Sequence, residues 1–104
     1  MQFDVFENPS PRMRDVYPFV IDIQSNLLSL LATRMVIPVS ITKLSIEKIP
    51  RRLCPLINID GKKLMLMPHE AAPLDKKILK RKIGSAKSQS SEILSAMDAV
   101  TSGI

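Results

Sequence analysis

Residues 2–7 alternate in polarity, with Phe3, Val5 and Glu7 on one side and Gln2, Asp4 and Phe6 on the other. That period of two predicts a strand. Asn8-Pro9-Ser10-Pro11-Arg12 follows as a loop, because neither proline can donate to a ladder. Tyr17–Ile23 predicts a second strand with Phe19, Ile21 and Ile23 facing one way, and Ser25-Asn26 marks a turn. Leu27–Ala32 reads as an irregular connection. Arg34–Ser40 is rich in β-branched residues and predicts a strand that Pro38 places at an edge or a bulge. Ile41–Arg52 is a long mixed connection ending in Ile49-Pro50.

Asp60-Gly61 is the clearest local signal. Asp-Gly between apolar runs favours a two-residue type I′ turn, since both central residues need φ > 0. It predicts a hairpin of Leu56–Ile59 and Lys62–Met67 that pairs Ile59 with Lys62, Ile57 with Leu64 and Leu56 with Met65. Lys76–Lys82 is expected as one more short strand, and Gly84–Ser91 as a linker. The period then changes: Ile93, Leu94, Met97, Val100 and Ile104, with Ala96 and Ala99 beside them, have helical spacing. Ser85 or Ser88 can cap that helix and Gly103 can end it. The fold class expected is mostly β, a small antiparallel sheet or barrel closed by one C-terminal α-helix, in a single domain over 1–104.

Composition narrows the chemistry. A chain of 104 residues with one cysteine, Cys54, and one histidine, His69, has no internal disulfide and no Cys-based zinc site to offer. Its acids are scattered singly and its three glycines form no phosphate-cradling loop, so neither a metal nor a cofactor is expected. Cys54 and His69 could pair as nucleophile and base, but a cysteine heading an apolar strand is commonly a buried packing residue. All four aromatics (Phe3, Phe6, Tyr17, Phe19) lie near the start, unlike the spread platforms that stack bases. No stretch approaches the ~20 apolar residues of a membrane span. The first residues also lack the basic start and apolar core of a signal peptide, so a cytoplasmic location is expected.

Charge is uneven. Residues 1–50 carry five acids and five bases, while residues 51–104 carry ten bases and five acids, so the net charge of +5 lies entirely in the second half. Its centre is Lys76, Lys77, Lys80, Arg81 and Lys82, followed by Lys87. Such a run is a solvated strand edge, or a surface for an acidic peptide or nucleic acid. The placement of the aromatics favours the peptide over direct, sequence-specific nucleic-acid binding.

Four blocks, in order, resemble one family. Met1-Gln2-Phe3-x-Val5-Phe6 is similar to the opening of the CcdB toxins. Phe19-Val20-Ile21-Asp22-Ile23-Gln24-Ser25-Asn26-Leu27-Leu28 resembles their Phe-Val-Asp-Val-Gln-Ser-Asp-Ile-Ile segment. Arg34-Met35-Val36-Ile37-Pro38-Val39 resembles their Arg-Met-Val-Ile-Pro-Leu strand, and Gly103-Ile104 their Gly-Ile ending. The likeness is weakest over 68–90, where this chain is strongly basic and Asp75 stands in place of a proline.

The resemblance implies an SH3-like barrel plus helix of the CcdB/MazF type, a two-fold homodimer and no catalytic activity. It implies a toxin of a type II toxin–antitoxin system that serves plasmid maintenance. That toxin binds the DNA gyrase A subunit, traps the enzyme on cleaved DNA and is neutralised by the disordered tail of a CcdA-type antitoxin. Carried over by position, the gyrase-facing residues are Gln2, Phe3, Phe6, Ser25, Leu27 and Leu28, with Asp98, Thr101, Ser102, Gly103 and Ile104 at the helix tip. An acidic antitoxin tail would suit Lys76, Lys77, Lys80, Arg81 and Lys82. The family's tryptophan before Gly-Ile, which stacks on a gyrase arginine, is Ser102 here. That departure supports a competing expectation, a homologue that binds antitoxin but poisons gyrase weakly or not at all. A third is an mRNA endoribonuclease of the related MazF type, against which the missing acid–base constellation counts.

Overall fold

The computed structural model describes residues 1–41, 50 and 52–102. Among these residues seven strands form one antiparallel sheet: β1 (Asp4–Glu7), β2 (Phe19–Asp22), β3 (Thr33–Ser40), β4 (Leu56–Ile59), β5 (Lys62–Leu66), β6 (Ala72–Asp75) and β7 (Lys82–Ser85), followed by helix α1 (Ser90–Ser102). The order is β4-β5-β3-β2-β1-β7. Val36 pairs with Asp22 of β2 on one edge and Ala72 of β6 on the other, so β5 and β6 share one edge of β3. The sheet curls into a half-barrel with α1 against it, as the fold class expected.

The hairpin forms in the predicted register, Ile59 with Lys62, Ile57 with Leu64 and Leu56 with Met65. Asp60 and Gly61 both have positive φ, 53° and 77°, as a type I′ turn requires. Phe19, Ile21 and Ile23 face the main core together. That core joins Val5, Ile21, Ile37, Val39, Ile57, Leu64 and Leu66 to Ile93 and Ala96 of α1. A second cluster of Val20, Val36 and Leu79, with Phe6 and Leu74, covers the other side of the alternating strands.

Four expectations need correction. The first strand begins at Asp4, because Phe3 has φ +71° and cannot continue a ladder. Pro38 sits in a central strand instead of at an edge. The flank it faces is shared, with β5 ending opposite Val39 and β6 starting opposite Val36, so Pro38 falls in the seam. Its carbonyl accepts from the Met67 N–H there (3.0 Å). Lys76–Lys82 is not a strand: Lys76–Ile78 is a 3-10 turn, and the strand is Lys82–Ser85, paired with β1. Gly84 and Ser85 therefore belong to that strand and Ser90 and Ser91 to the helix, so only Ala86–Gln89 of the expected linker connects the two. Gly103 as helix terminator lies outside the described residues, as does most of the Ile41–Arg52 connection.

The sheet's two ends meet through one side chain. Gln89, just past β7, accepts from the Asn58 N–H with Oε1 and donates to the Asn58 carbonyl with Nε2, both at 2.8 Å. The amide thus imitates a neighbouring strand for β4, whose outer edge is otherwise unpaired among the described residues. Gln89→Ala removes both bonds, at about 0.5–1.5 kcal/mol each. Urea unfolding should show a loss of about 1–3 kcal/mol, and Gln89→Glu, which keeps only the acceptor, should fall between the two.

Candidate functional site

The N-terminal residues and the loop after β2 are built as one unit. Phe3 is only 7% exposed and packs in the main core. Its N–H donates to the Asp22 carbonyl, and its own carbonyl accepts from Ala86 N–H at 2.8 Å. These contacts over-determine a left-handed conformation that costs a bulky residue about 1–2 kcal/mol. The turn carries Gln2 towards the loop. The Gln2 N–H donates to Asn26 Oδ1 (3.0 Å), and Gln2 Nε2 donates to the Ile23 carbonyl (3.1 Å). Ser25 Oγ accepts from Leu27 N–H (3.2 Å), capping the 3-10 turn Asn26–Leu28.

Beneath the loop lies a buried ion pair. Arg34 Nε donates to Asp22 Oδ2 at 2.8 Å, and Arg34 Nη2 donates to the Gln24 carbonyl at 3.2 Å. Asp22 Oδ1 accepts from Gln24 N–H (3.0 Å), while the Gln24 side chain accepts from Met35 N–H and donates to the Leu28 carbonyl, both at 3.0 Å. Asp22 and Arg34 are both buried, and their bonds to Gln24 fix the loop's base, while the Met1 ammonium lies 3.9 Å from Asp22 Oδ2. The polar base then displays apolar side chains: Leu27 is 94% exposed and Leu28 is half exposed.

Of the residues expected to face gyrase, the structure brings Gln2, Ser25, Leu27 and Leu28 together. Phe3 is core and acts on this surface by placing Gln2. Phe6 packs with Val20, Val36 and Leu79, on the side of the sheet away from Phe3, and lines a shallow cavity of about 220 Å³ with Met1, Ser29, Arg34 and Lys76. Asp98, Thr101 and Ser102 are exposed at the end of α1, where Thr101 Oγ donates back to the Met97 carbonyl (3.0 Å). Among the described residues no hydrogen bond joins this end of α1 to Gln2 or to the Ser25 loop. Gly103 and Ile104 lie outside the described residues.

The basic strip is exposed throughout but unevenly balanced. Glu7 is shared by Arg14 (3.2 Å) and Arg81 (3.3 Å), and Lys82 reaches Asp4 (3.3 Å). Lys76, Lys77 and Lys80 make no salt bridge among the described residues. Glu7, Pro9, Arg14, Ile78, Lys80 and Arg81 line a groove of about 290 Å³. Nothing in the local pattern of Arg14 and Ile78 signals a groove that forms only when the Pro9–Arg14 loop meets the turn before β7.

Cys54 and His69 do meet, with Sγ and Nδ1 3.8 Å apart. The environment is wrong for a nucleophile. Cys54 is 3% exposed, and burial, followed by the charge of Glu70, pushes its thiol above the ordinary 9.0. A hydrogen bond to Glu70, then burial, likewise raises Tyr17 above 10.0. Reactive thiols need the opposite shift. Both groups keep their proton more firmly folded than unfolded. Their stabilisation is therefore complete below the unfolded pKa values and declines as pH rises past about 9. Urea midpoints from pH 7 to 11 should fall above that point, less steeply in Cys54→Ala.

Among the described residues no group of three or more His, Cys, Asp or Glu side chains could hold a metal, and no helix is long and apolar enough to cross a membrane. What the surface offers is a pinned apolar loop and a basic groove on a curled sheet with one helix. The family model of the CcdB protein matches residues 2–103, nearly the whole of this barrel-and-helix unit, and the chain belongs to the CcdB family of toxin–antitoxin toxins.

Proposed function

We propose that this chain is a cytoplasmic toxin that binds the DNA gyrase A subunit as a homodimer and traps gyrase on cleaved DNA, and that a CcdA-type antitoxin neutralises it. The observation that carries the proposal is the loop at Ser25–Leu28 within the family match. Gln2, Ser25, Leu27 and Leu28, carried over by position, share one rigid, outward-facing surface. An exposed apolar cluster over a fixed polar base has no folding role and suits a protein partner. A two-fold dimer would present two such loops at once, and a small core leaves apolar surface for the second subunit to cover. Capture of the protein by immobilised gyrase A subunit, blocked by excess antitoxin tail, tests the proposal. No capture by a folded preparation would reject it.

The antitoxin tail is proposed to lie along Lys76, Lys77, Lys80, Arg81 and Lys82, with Ile78 and Pro9 giving apolar contact in the groove. Complementary charge acts chiefly on encounter rate. The association rate for an acidic tail should therefore fall at least about tenfold between ~0.05 and ~0.5 M salt. A rate independent of salt would remove the strip from the interface.

One observation favours a second reading. Ser102 is exposed where the family carries its tryptophan, so a homologue that keeps antitoxin binding while poisoning gyrase weakly is the alternative.

A further inference from the structure

The apolar surface does not stop at Leu28. The chain runs Leu27-Leu28-Ser29-Leu30-Leu31, with Leu30 95% exposed and Leu31 half exposed. Neither touches the core clusters. The segment is nevertheless ordered by its own backbone: Ser29 N–H donates to the Asn26 carbonyl and Leu31 N–H to the Leu28 carbonyl, both at 3.1 Å. Beyond it, the Ala32 carbonyl accepts from Lys76 N–H at 2.9 Å, tying the ridge to the turn that bears Lys76 and Lys77. The result is a preformed leucine ridge flanked by two exposed lysines.

We propose that Leu30 and Leu31 extend the partner-binding surface and insert, with Leu27, into an apolar pocket rimmed by acidic groups on the gyrase A subunit. The inference rests on the gyrase reading above. Three features select that occupant. The ridge is continuous with Gln2 and Ser25 through the Asn26 bonds. Its order in the free chain reduces the entropy lost on docking. Its flanking charge argues against a second copy of this chain, because a two-fold contact sets a patch against itself and would bring two lysine-flanked patches of like charge together.

The test compares wild type, Leu30→Ser/Leu31→Ser and Leu30→Met/Leu31→Met for equilibrium binding to immobilised gyrase A subunit. Thermal melting and sedimentation are followed on the same samples. The exposed positions predict equal melting and equal self-association in all three. The serine variant should bind at least about tenfold more weakly and the methionine variant close to wild type. Unchanged binding by the serine variant, while wild type binds, overturns this inference alone. Loss of self-association in the serine variant overturns it by assigning the ridge to a second copy. Failure of wild type to bind overturns it together with the gyrase reading.

Discussion

Arg34→Leu should destabilise the protein by about 3–5 kcal/mol, the usual cost of leaving one member of a buried ion pair without the other. Asp22 is 1% exposed and keeps its carboxylate where water cannot reach it. In the native protein Arg34 Nε meets it at 2.8 Å and the Gln24 N–H at 3.0 Å. The leucine removes the nearer cation, leaving the Met1 ammonium at 3.9 Å, and also the bond from Arg34 to the Gln24 carbonyl. For a chain of this size Tm falls by roughly 4–8 °C per kcal/mol, so urea and thermal unfolding both resolve the change. Arg34→Leu combined with Asp22→Asn should recover part of the loss, since no charge is stranded, while the amide oxygen can still take the Gln24 N–H. Equal destabilisation by the single and double variants would mean that packing at Arg34, and not the stranded carboxylate, dominates. Well below its Tm the single variant should also bind partners more weakly, because the same bonds hold the base of the Ser25–Leu28 loop.

Ser102→Trp should raise affinity for the gyrase A subunit by about 30-fold or more. The family's tryptophan at this position is expected to stack on an arginine, a contact of roughly 0.5–2 kcal/mol. Interface hot spots reach ~2–4 kcal/mol, or about 30- to 1000-fold in affinity. Ser102 is exposed at the end of α1, so the larger side chain meets no packing conflict within the chain. Titration against gyrase A subunit checks this directly. No gain from the tryptophan would show that Ser102 does not limit binding.

The parts of the fold legible in the sequence are those fixed locally. Asp60-Gly61 specifies its turn by φ alone, and the register of two strands follows from it. The helix is legible because Ile93, Ala96 and Met97 repeat at its period and pack on the main core. Strand β6 is not legible: Ala72-Pro73-Leu74-Asp75 has no alternation of its own and becomes a strand by pairing with Thr33–Val36. Pro38 signals an edge in any sequence, and only the seam between β5 and β6 makes a central strand accept it. The left-handed Phe3 runs against the preference of its residue type and exists because three long-range contacts hold it.

The site divides along the same line. Its residue types came from the resemblance, which points to Gln2, Ser25, Leu27 and Leu28. The bonds that join them span about twenty residues in sequence and appear only in three dimensions, as with Gln2 and Asn26. The Asp22–Arg34 pair is likewise invisible, because adjacent strands bring together groups twelve positions apart. Cys54 and His69 show the converse, an approach that sequence allowed in an environment that buries the thiol and raises its pKa.

The most direct measurement is a DNA cleavage assay with purified gyrase, ATP and supercoiled plasmid, with and without this protein. Linear DNA released by detergent and protease only when the protein is present is the predicted result. It should disappear on adding the antitoxin tail. No linear DNA, from a preparation shown to be folded, dimeric and able to bind antitoxin, would contradict gyrase poisoning and leave an antitoxin-binding homologue in its place.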